Sequence, residues 1–365
     1  MKWGLMIVGI GGASASTAVA GLLAARSARD GFNKGSYFCA LKGEYPEPIF
    51  NLCIAGWDYR FKNLAEALKW NGLWQQETLP EDLSKPTFFR ACLSPSDYAV
   101  RVDGEAPTAK DLHSAVKVLT ADIDRFRTEN GLNRVIVANL SSPAFSRSKD
   151  GQDLWHSAEA YSLACVETGS DWIEFTPTDS ISPDLIALAS NKGSRLAGRD
   201  GSTGQTILKL LLRDYLDARG LALESWYSTN LIGNRDGQVL SHPDYSQTKI
   251  RDKRAVLDKS LPDPSAHTVE IRFHRPSGDN KESWDCVHFS GFYNRLMSLR
   301  VNWHGADSFL AAPLLFDIVV GLMRAEEKGY PPGLVSDLGI LFKNPLGVES
   351  PKWQTMLSAY TKLIS

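Results

Sequence analysis

MIVGIGGASAST, residues 6–17, joins an apolar run to a cluster of glycines and small side chains. Such a stretch can end a secretory signal peptide, and Lys2 and Ala18–Ala20 resemble the basic start and the cleavage site of one. The glycines interrupt the apolar run after only a few residues, however, which is typical of a buried strand followed by a tight turn. The pattern therefore predicts a strand, a turn and then a helix, with Ser16 or Thr17 near the start of the helix.

Strand-like and helix-like segments alternate from this stretch to about residue 230. The further predicted strands are Ile49–Asp58, Arg134–Asn139, Asp171–Pro177, Ser194–Gly198 and Leu221–Ser228. The predicted helices lie around residues 61–70, 112–126, 158–165, 182–190 and 206–220. Such alternation predicts an α/β fold, namely a Rossmann-type doubly wound parallel sheet.

The region from about Asp200 to His304 has a different character. It holds polar loops, a basic stretch and two alternating strands, TVEIRF and LMSLRVNW. We therefore predict a dinucleotide-binding domain made of residues 1–199 plus 305–365, and an inserted catalytic and oligomerisation α+β domain at residues 200–304. The apolar segment Phe309–Met323 contains Asp317, so it is predicted to be a buried helix rather than a membrane span.

The composition excludes several classes of function. The 365 residues carry 40 basic and 42 acidic side chains, which give a formal net charge of -2. Proteins that bind nucleic acid along its phosphates usually have a basic excess, so no nucleic-acid partner is expected, although a few lysines can still bind a small anion. The five cysteines are odd in number and lack C-x-x-C spacing, which argues against a disulfide framework and a thiolate zinc site. We expect a cytoplasmic protein with no metal and no membrane partner.

The glycine turn resembles the G-x-G-x-x-G/A fingerprint of dinucleotide sites, with Gly9 and Gly11 at the first two positions and Ala15, one residue beyond the usual spacing, in the third place. Backbone N–H groups at the start of the following helix would hold a pyrophosphate. An acid should bind the adenosine ribose. Asp30 has the simple spacing, but Asp58 ends a strand and is preferred for that reason. A glycine-rich turn without a ligand is the alternative.

Three later features suit an anionic substrate. GRDGSTGQT at residues 198–206 places glycines and hydroxyls before a helix, which fits either a phosphate nest or a plain helix cap. NLIGNRDG at residues 230–237 fits a ligand loop after a strand or a solvated loop. The third feature is a set of lysines, of which Lys249 and Lys253 share a helix face. Such pairs are usually solvated, but clustered and buried lysines have lowered pKa values and can move protons.

The order of these motifs resembles the myo-inositol-phosphate synthase family over essentially the whole chain. The matching patterns are GxGGxxxST at 9–17, GWD at 56–58, GxDxxTGQT at 198–206, NxxGNxDG at 230–237, KxxxK at 249–253, GDxK at 278–281, DS with an apolar helix at 307–317, and FKxP at 342–345. The resemblance implies an NAD-dependent isomerase that converts glucose 6-phosphate to an inositol phosphate. The implied steps are oxidation at C5, enolisation, aldol closure and reduction, with no net redox change.

The resemblance also implies roles for individual residues. Proton transfer and oxyanion stabilisation would fall to Lys249, Lys253, Lys281 and Lys343, with Asp200 and Asp279 orienting them or the substrate. Cofactor contacts would come from Gly9, Gly11, Gly12, Ala13, Ser14, Asp58, Asn139, Asp307 and Ser308. The substrate phosphate would lie on Thr203, Gly204, Gln205 and Thr206. The resemblance further implies a cytoplasmic homotetramer that serves inositol and phospholipid biosynthesis.

The sequence departs from the family at two places. Ala13 and Ser14 stand where the family often has paired asparagines, and Glu174 replaces an asparagine. A carboxylate in the cofactor or substrate pocket would repel a phosphate, which leaves the sugar open. The chain is also shorter than eukaryotic members and resembles a compact prokaryotic type. Two alternatives therefore remain, a related NAD-dependent cyclase, epimerase or dehydrogenase for another sugar phosphate, and a non-catalytic dinucleotide-binding protein.

Overall fold

The computed structural model describes residues 1–29, 31–74, 82–142, 155–242, 245, 246, 250, 253, 254, 257, 261, 263–349 and 351–365. Two predicted site residues lie outside the described residues. They are Asp30, the alternative ribose acid, and Lys249, the first lysine of the predicted pair.

A seven-stranded sheet forms the centre of the fold. Its strands are β1 (Trp3–Val8), β2 (Cys53–Asp58), β3 (Thr87–Arg90), β4 (Arg134–Asn139), β5 (Asp171–Glu174), β6 (Arg195–Gly198) and β11 (Gly333–Leu334). The order across the sheet is β11-β6-β5-β4-β1-β2-β3, and the pairings are parallel. The chain runs outward from β1 on one side and from β4 on the other, so the switch point lies between these two strands. The predicted Rossmann-type doubly wound sheet is confirmed.

Helices cover both faces of this sheet. They are α1 (Ala13–Ala25), α2 (Tyr37–Lys42), α3 (Glu47–Phe50), α4 (Leu64–Asn71), α5 (Tyr98–Arg101), α6 (Leu112–Glu129), α7 (Ser157–Glu167), α8 (Pro183–Lys192), α9 (Gln205–Ala218), α10 (Arg235–Leu240), α11 (Asp307–Glu327) and α12 (Trp353–Ile364). Because strand side chains alternate between faces, Leu5 and Ile7 join the core with α1 and α11, while Met6 and Val8 join the core with α6 and α7. Burial of each such side chain contributes about 1.5–3 kcal/mol.

A second sheet has four strands, β7 (Ala222–Ile232), β8 (His267–Phe273), β9 (Asn280–Ser290) and β10 (Leu296–Ala306). Their order is β10-β9-β7-β8; β7 pairs with β8 in parallel and with β9 antiparallel, and β9 pairs antiparallel with β10. Short 3-10 turns lie at Pro264–Ala266, Arg275–Ser277, Phe292–Asn294 and Ser336–Leu341. The predicted division into domains stays a prediction, and β10 extends past His304, where that division was placed.

Several predicted boundaries are corrected by the structure. Ile49 and Phe50 belong to α3 instead of β2, because Pro48 fixes a helical φ near the start of that turn. The helix α1 is capped by Gly12, whose backbone is extended, so Ser16 and Thr17 lie inside the helix rather than near its cap.

One strand that the sequence did not predict, β9, has a simple physical explanation. Its inward positions include Lys281, Ser283 and Asp285, which are buried although they are polar. The alternation of apolar and polar residues that marks most half-buried strands is therefore missing. This inversion of the usual pattern indicates that β9 presents functional side chains to the interior.

The predicted buried helix is confirmed as α11. It is the one helix in the described part of the chain that is long and apolar enough to cross a membrane, and 72% of its apolar window is buried within the protein. Its Asp317 carboxylate accepts hydrogen bonds from the hydroxyls of Ser36 at 2.5 Å and Tyr45 at 2.7 Å. Burial raises the pKa of Asp317 to about 6. This polar residue thus fixes α11 to the segment around α2 and α3.

Candidate active site

A cleft of about 370 Å³ lies at the carboxyl ends of the parallel strands, between that sheet and the second one. Loops that follow β1, β2, β4, β5 and β6 form part of its wall. This is the position at which doubly wound sheets bind ligands. The predicted site residues that line it are Gly9, Gly11, Gly12, Ala13, Ser14, Asp58, Asp200, Thr203, Asp279, Lys281, Asp307 and Lys343.

The glycine turn forms one wall of the cleft from backbone atoms. Gly9 has a φ of 78°, a left-handed conformation that favours glycine, and its N–H donates to the carbonyl of Trp57 on β2 at 2.9 Å. A Cβ at Gly11 would lie 2.3 Å from Cδ2 of Phe61 and 2.7 Å from Oδ2 of Asp58. Since α1 begins immediately afterwards, the wall combines a close-approach turn with a helix N-terminus, which suits a pyrophosphate.

Asp58 lies at the end of β2, beside the glycine turn. Its carboxylate accepts backbone hydrogen bonds from Gly11 at 3.0 Å, Arg60 at 2.8 Å and Phe61 at 3.0 Å. Burial raises its pKa, and these three hydrogen bonds oppose that effect. The position at a strand end next to the turn is the one that suits a ribose acceptor.

The opposite wall is made of paired charges. Lys281 at the start of β9 donates to Oδ1 of Asp307 at 3.3 Å, and Thr203 donates to the same oxygen at 3.2 Å. Asp307 is the first residue of α11, where a carboxylate is favoured by the helix dipole. The three residues come from widely separated parts of the chain and meet on the cleft.

A second pair lies on the same cleft. Lys343 donates to Oδ1 of Asp200 at 2.6 Å, and both side chains are buried. Their backbones are also linked, because the Lys343 N–H donates to the Asp200 carbonyl at 2.7 Å. Asp200 has a φ of 62°, a left-handed conformation that few residues other than glycine adopt and in which Asp and Asn are enriched. The chain around residues 198–202 is therefore fixed against residues 341–346.

Asp279 has a structural role within the cleft wall. Its carboxylate accepts from the Ser308 hydroxyl at 2.6 Å, the Ser308 N–H at 3.0 Å and the Asn234 amide at 3.3 Å. Burial raises the pKa of Asp279. Ser308 is fully buried and its hydroxyl is directed to Asp279. This pair joins β9 to the N-terminus of α11 and so positions Asp307.

The predicted phosphate residues divide between the cleft and the interior. Thr203 lines the cleft, whereas Gln205 and Thr206 are buried at the start of α9. The Gln205 amide donates to Ser228 at 2.8 Å and to Asp285 at 2.6 Å. A Cβ at Gly204 would lie 3.2 Å from the indole nitrogen of Trp303, so this position packs against β10.

Lys253 lies behind the cleft wall rather than on it. Only 2% of its surface is exposed, and its ammonium donates to the amide oxygens of Asn230 and, at 3.4 Å, Gln205. Gln205 connects it to the interior of the second sheet. Of the four predicted lysines, two thus meet at the cleft, one lies in an adjoining buried network and Lys249 is outside the described residues.

The sequence did not predict a role for Lys209, which lies deeper in the same network. Its ammonium lies 3.9 Å from Asp285, 3.4 Å from Nε2 of His267 and 5.4 Å from the ring centre of Trp226. Burial lowers the pKa of Lys209 to about 8, and burial together with the charge of Lys209 lowers that of His267 to about 3. The available signal was the helical spacing, because Lys209 is four residues after Gln205 and on the same face of α9.

Two arginines on the cleft were also missed. Arg60 follows Asp58, and Arg235 donates to the Tyr59 hydroxyl at 2.7 Å. Both form ion pairs with Asp103. These arginines add positive charge to the cleft, and the available signal was their position, two residues after the GWD motif for Arg60 and inside the GNRDG motif for Arg235.

Asn139 and Glu174 are buried below the cleft and do not line it. The Asn139 amide donates to both Glu174 oxygens, at 3.0 and 3.1 Å. The expectation that Glu174 would repel a phosphate inside the pocket is therefore wrong, because its carboxylate is enclosed by hydrogen-bond donors of its own strand end.

Together the two walls can hold a dinucleotide and a charged, hydroxylated substrate. The glycine turn and Asp58 offer backbone N–H groups and a ribose acceptor. The two lysine–aspartate pairs offer ammonium groups that can stabilise an oxyanion and carboxylates that can take up a proton. No group of three or more His, Cys, Asp or Glu suited to a metal ion occurs within the part of the chain that the structure describes.

Three comparisons with known proteins agree with this geometry. The sequence model of the family named myo-inositol-1-phosphate synthase matches residues 204–308, which hold the end of the 198–206 turn, Lys253, Lys281 and β7–β10. Inositol-3-phosphate synthase 1 of Bacteroides thetaiotaomicron is 27% identical, over 94% of this chain and 90% of that protein. Inositol-3-phosphate synthase of Saccharomyces cerevisiae is 26% identical, over 87% of this chain and 73% of that protein.

A solved structure supports the fold. The crystal structure of inositol-3-phosphate synthase from Caenorhabditis elegans superposes on the whole chain and on 85% of its own, with a TM-score of 0.86 and 24% identity. These relatives are isomerase-type enzymes by name. The comparisons thus confirm the resemblance that the motifs carry: the chain is similar to inositol-3-phosphate synthases along almost its whole length and to the myo-inositol-1-phosphate synthase family model over residues 204–308.

Proposed function

We propose that this chain is an NAD-dependent inositol-3-phosphate synthase that cyclises glucose 6-phosphate. The observation that carries the proposal is one cleft whose two walls differ, with the glycine turn and Asp58 on one side and the Lys281–Asp307 and Lys343–Asp200 pairs on the other. Relatives that match most of this chain are named inositol-3-phosphate synthase, which supports the proposal.

The residues present fit NAD. Gly11 lies too close to Asp58 and Phe61 to carry a Cβ, and Ala13 and Ser14 of the first turn of α1 line the cleft. Gly9, Gly11, Gly12, Ala13 and Ser14 would hold the pyrophosphate, and Asp58 the ribose. A bound NAD would supply reversible hydride transfer at C5 of the sugar, so the proposed reaction has no net redox change.

The lysines of the opposite wall would take part in proton transfer and stabilise oxyanions. Ring closure requires loss of a proton from C6, stabilisation of the resulting enolate oxygen, and protonation of the C1 oxygen when the new C–C bond forms. Lys281 and Lys343 would stabilise the oxyanions, and their partners Asp307 and Asp200 would receive and return protons through them. Thr203 and the network of Gln205 and Lys253 would support the phosphate end.

Incubation with glucose 6-phosphate and NAD, followed by NMR of the product, tests the proposal. A phosphorylated cyclitol with no accumulation of NADH is the expected result. Accumulation of NADH would indicate a dehydrogenase instead. Unchanged sugar with bound NAD would indicate another sugar phosphate as the substrate.

We also propose that the second sheet is an interface between copies of this chain, within a homotetramer. Its edge strand β10 exposes Leu296, Met297 and Leu299, and the turn before it exposes Phe292 and Tyr293 almost fully. An exposed, apolar edge strand is a surface that normally pairs with another chain. Sedimentation of the wild-type protein should give a tetramer, and Leu299→Lys should give smaller species.

We further propose that the protein is cytoplasmic and that it serves inositol and phospholipid biosynthesis.

A further inference from the structure

Glu174 occupies the end of β5, next to the switch point of the large sheet. It pairs with Asn139 at the end of β4 and with Gly198 at the end of β6. The side chain has no exposed surface, and a Cβ at Gly198 would lie 3.2 Å from that of Glu174. The carboxylate is therefore enclosed between the two neighbouring strand ends.

The groups that contact the Glu174 carboxylate all donate hydrogen bonds to it. The Asn139 amide donates to both oxygens, at 3.0 and 3.1 Å. Thr176 donates through its N–H at 3.0 Å and its hydroxyl at 2.6 Å, and Ser180 donates through its hydroxyl at 2.5 Å. A carboxylate accepts all of these bonds, whereas a protonated carboxyl adds a donor that the amide and the backbone N–H cannot accept. Protonation must therefore break or reorient part of this set.

This set of hydrogen bonds is connected to two loops that line the cleft. Because the Asn139 NH2 group faces Glu174, its Oδ1 faces Ser141, which donates to it through the N–H at 3.1 Å and the hydroxyl at 2.6 Å. Leu140–Ser142 and Phe175–Pro177 both line the cleft. Thr176 contacts Glu174 directly and lies in the second of these loops.

The charge of Glu174 depends on pH near neutrality. Burial raises its pKa to about 7, and the hydrogen bonds from Ser180, Thr176 and Asn139 oppose this effect. The strand ends packed on either side contribute the uncharged Asn139 and Gly198. The charged groups of the adjoining loops form pairs of their own, Arg199 with Asp179 and Lys343 with Asp200. Glu174 is therefore ionised above about pH 7 and becomes protonated below it.

We propose that Glu174 is a positioning residue for the cofactor, whose ionised carboxylate holds the loops Leu140–Ser142 and Phe175–Pro177 in the arrangement that accepts the dinucleotide. The inference rests on the proposed dinucleotide site. It adds that cofactor affinity in this chain is coupled to the protonation of a side chain that does not touch the cofactor.

The test is the dissociation constant of NAD, measured by calorimetry between pH 5.5 and 9 on the full chain. The wild-type protein should bind about tenfold more weakly as the pH falls through about 7, within the usual range of coupling between two sites. Glu174→Gln keeps the size of the side chain but replaces one acceptor oxygen by an NH2 group. That group faces the donors that now bond to the carboxylate, so part of the set is lost. It should bind weakly at every pH, without a step near pH 7.

Two further variants separate positioning from general destabilisation. Ser180→Ala removes a hydrogen bond that lowers the pKa of Glu174, so the step should move to higher pH. Asp171→Asn is the matched control, because Asp171 is a buried carboxylate at the other end of β5, where it binds Arg134 and the Arg195 N–H. It should lower stability and leave the step in place.

The outcomes distinguish this inference from the proposed function. A pH-independent affinity in the wild type, or an unchanged step in Glu174→Gln, overturns the positioning role while NAD binding itself stands. If Glu174→Gln does not fold, the direction of the shift in Ser180→Ala decides. Absence of NAD binding at any pH overturns the dinucleotide site and this inference together.

Discussion

The two walls of the cleft are built in different ways. The wall that we assign to the cofactor consists mainly of backbone atoms. It is formed by the Gly9–Ser14 turn, the start of α1 and Asp58. The opposite wall is made of side chains that meet from positions 200–203, 279–281, 307 and 343. A backbone site depends on local conformation, whereas a side-chain site depends on the packing of the whole fold. Substitutions on the two walls should therefore separate cofactor affinity from turnover.

The charges of the two walls differ in the same way. The glycine turn offers a helix N-terminus and Arg60, which can hold an anion without moving a proton. On the other wall each cleft lysine has a carboxylate partner, Asp307 for Lys281 and Asp200 for Lys343. Such pairs keep the ammonium in place and provide a base beside it, which is what repeated proton transfer requires.

The largest expected effect follows from Lys281→Ala. If Lys281 stabilises charge during enolisation, kcat should fall by about 10²–10⁴-fold. The NAD dissociation constant should stay within about twofold of wild type, because the glycine wall is untouched. Steady-state kinetics with glucose 6-phosphate and calorimetry with NAD measure the two quantities.

Lys192→Ala is the control for Lys281→Ala. Lys192 forms an exposed ion pair with Glu167 at 2.5 Å, far along α8 from the cleft lining, and should change neither quantity. A non-catalytic dinucleotide-binding protein would give normal NAD affinity in both variants with no turnover in the wild type. Unchanged kcat in Lys281→Ala would exclude Lys281 from the chemistry.

The second prediction concerns the interior behind the lysine wall. The pKa of Lys209 is lowered to about 8 by burial, below its value of about 10.4 in an unfolded chain. Between these values the unfolded chain binds more protons, so the contribution of Lys209 to stability rises with pH across this window. The difference in unfolding free energy between wild type and Lys209→Met should grow by about 3 kcal/mol from pH 8 to pH 10.4.

Denaturant unfolding of both proteins at several pH values measures that difference. Comparison of the two removes the contributions of other groups that titrate in the same range. Lys62→Met, at an exposed lysine beside α4, is the control for the exchange of a lysine for a methionine. If the difference in unfolding free energy between wild type and Lys209→Met does not change with pH, the Lys209 ammonium is not desolvated in the folded wild-type protein.

The sequence predicted the cofactor wall better than the lysine wall, for physical reasons. A glycine turn between a strand and a helix is set by local conformation, and Asp58 is marked by its place at a strand end. Lys209 could be placed on the face of Gln205 by helical spacing, but that spacing does not show that Asp285 and Trp226 lie around its ammonium. Likewise β9 escaped prediction because its buried positions are polar.

Glu174 shows that a motif does not determine the orientation of its side chains. Its position in the motif predicted a carboxylate facing a ligand, yet the side chain points into a set of donors from Asn139, Thr176 and Ser180. A motif fixes which backbone segment reaches the cleft. The rotamer of each side chain is decided by partners that become neighbours only in the folded sheet.

The third prediction tests the backbone character of the cofactor wall. In Gly11→Ala the new Cβ would meet Phe61 at 2.3 Å and Asp58 at 2.7 Å, so the turn must shift. We expect a cost of about 2 kcal/mol, or roughly 30-fold in the NAD dissociation constant. At saturating NAD, kcat should remain close to wild type.

Gly21→Ala is the matched control, because Gly21 lies in α1, the helix that follows the Gly11 turn, and the nearest neighbour of its new Cβ would be 3.8 Å away. Alanine is favoured over glycine inside a helix by up to about 1 kcal/mol, so this variant should be slightly more stable and bind NAD normally. Equal loss of affinity in both variants would mean that the helix as a whole, and not the close approach at Gly11, determines binding.

The smallest effect is expected for Asp58→Asn. The amide keeps one oxygen for the N–H groups of Arg60 and Phe61, but its NH2 group then faces the Gly11 N–H, which now donates at 3.0 Å. Loss of one charged hydrogen bond should weaken NAD binding roughly tenfold and leave kcat unchanged. Asp111→Asn, which alters a carboxylate that caps α6 away from the cleft, should bind NAD as the wild type does.

Because a carboxylate repels a 2′-phosphate, Asp58→Asn should also reduce the ratio of NAD affinity to NADP affinity. An unchanged preference would place the ribose away from Asp58, and the cofactor wall would then consist of backbone alone.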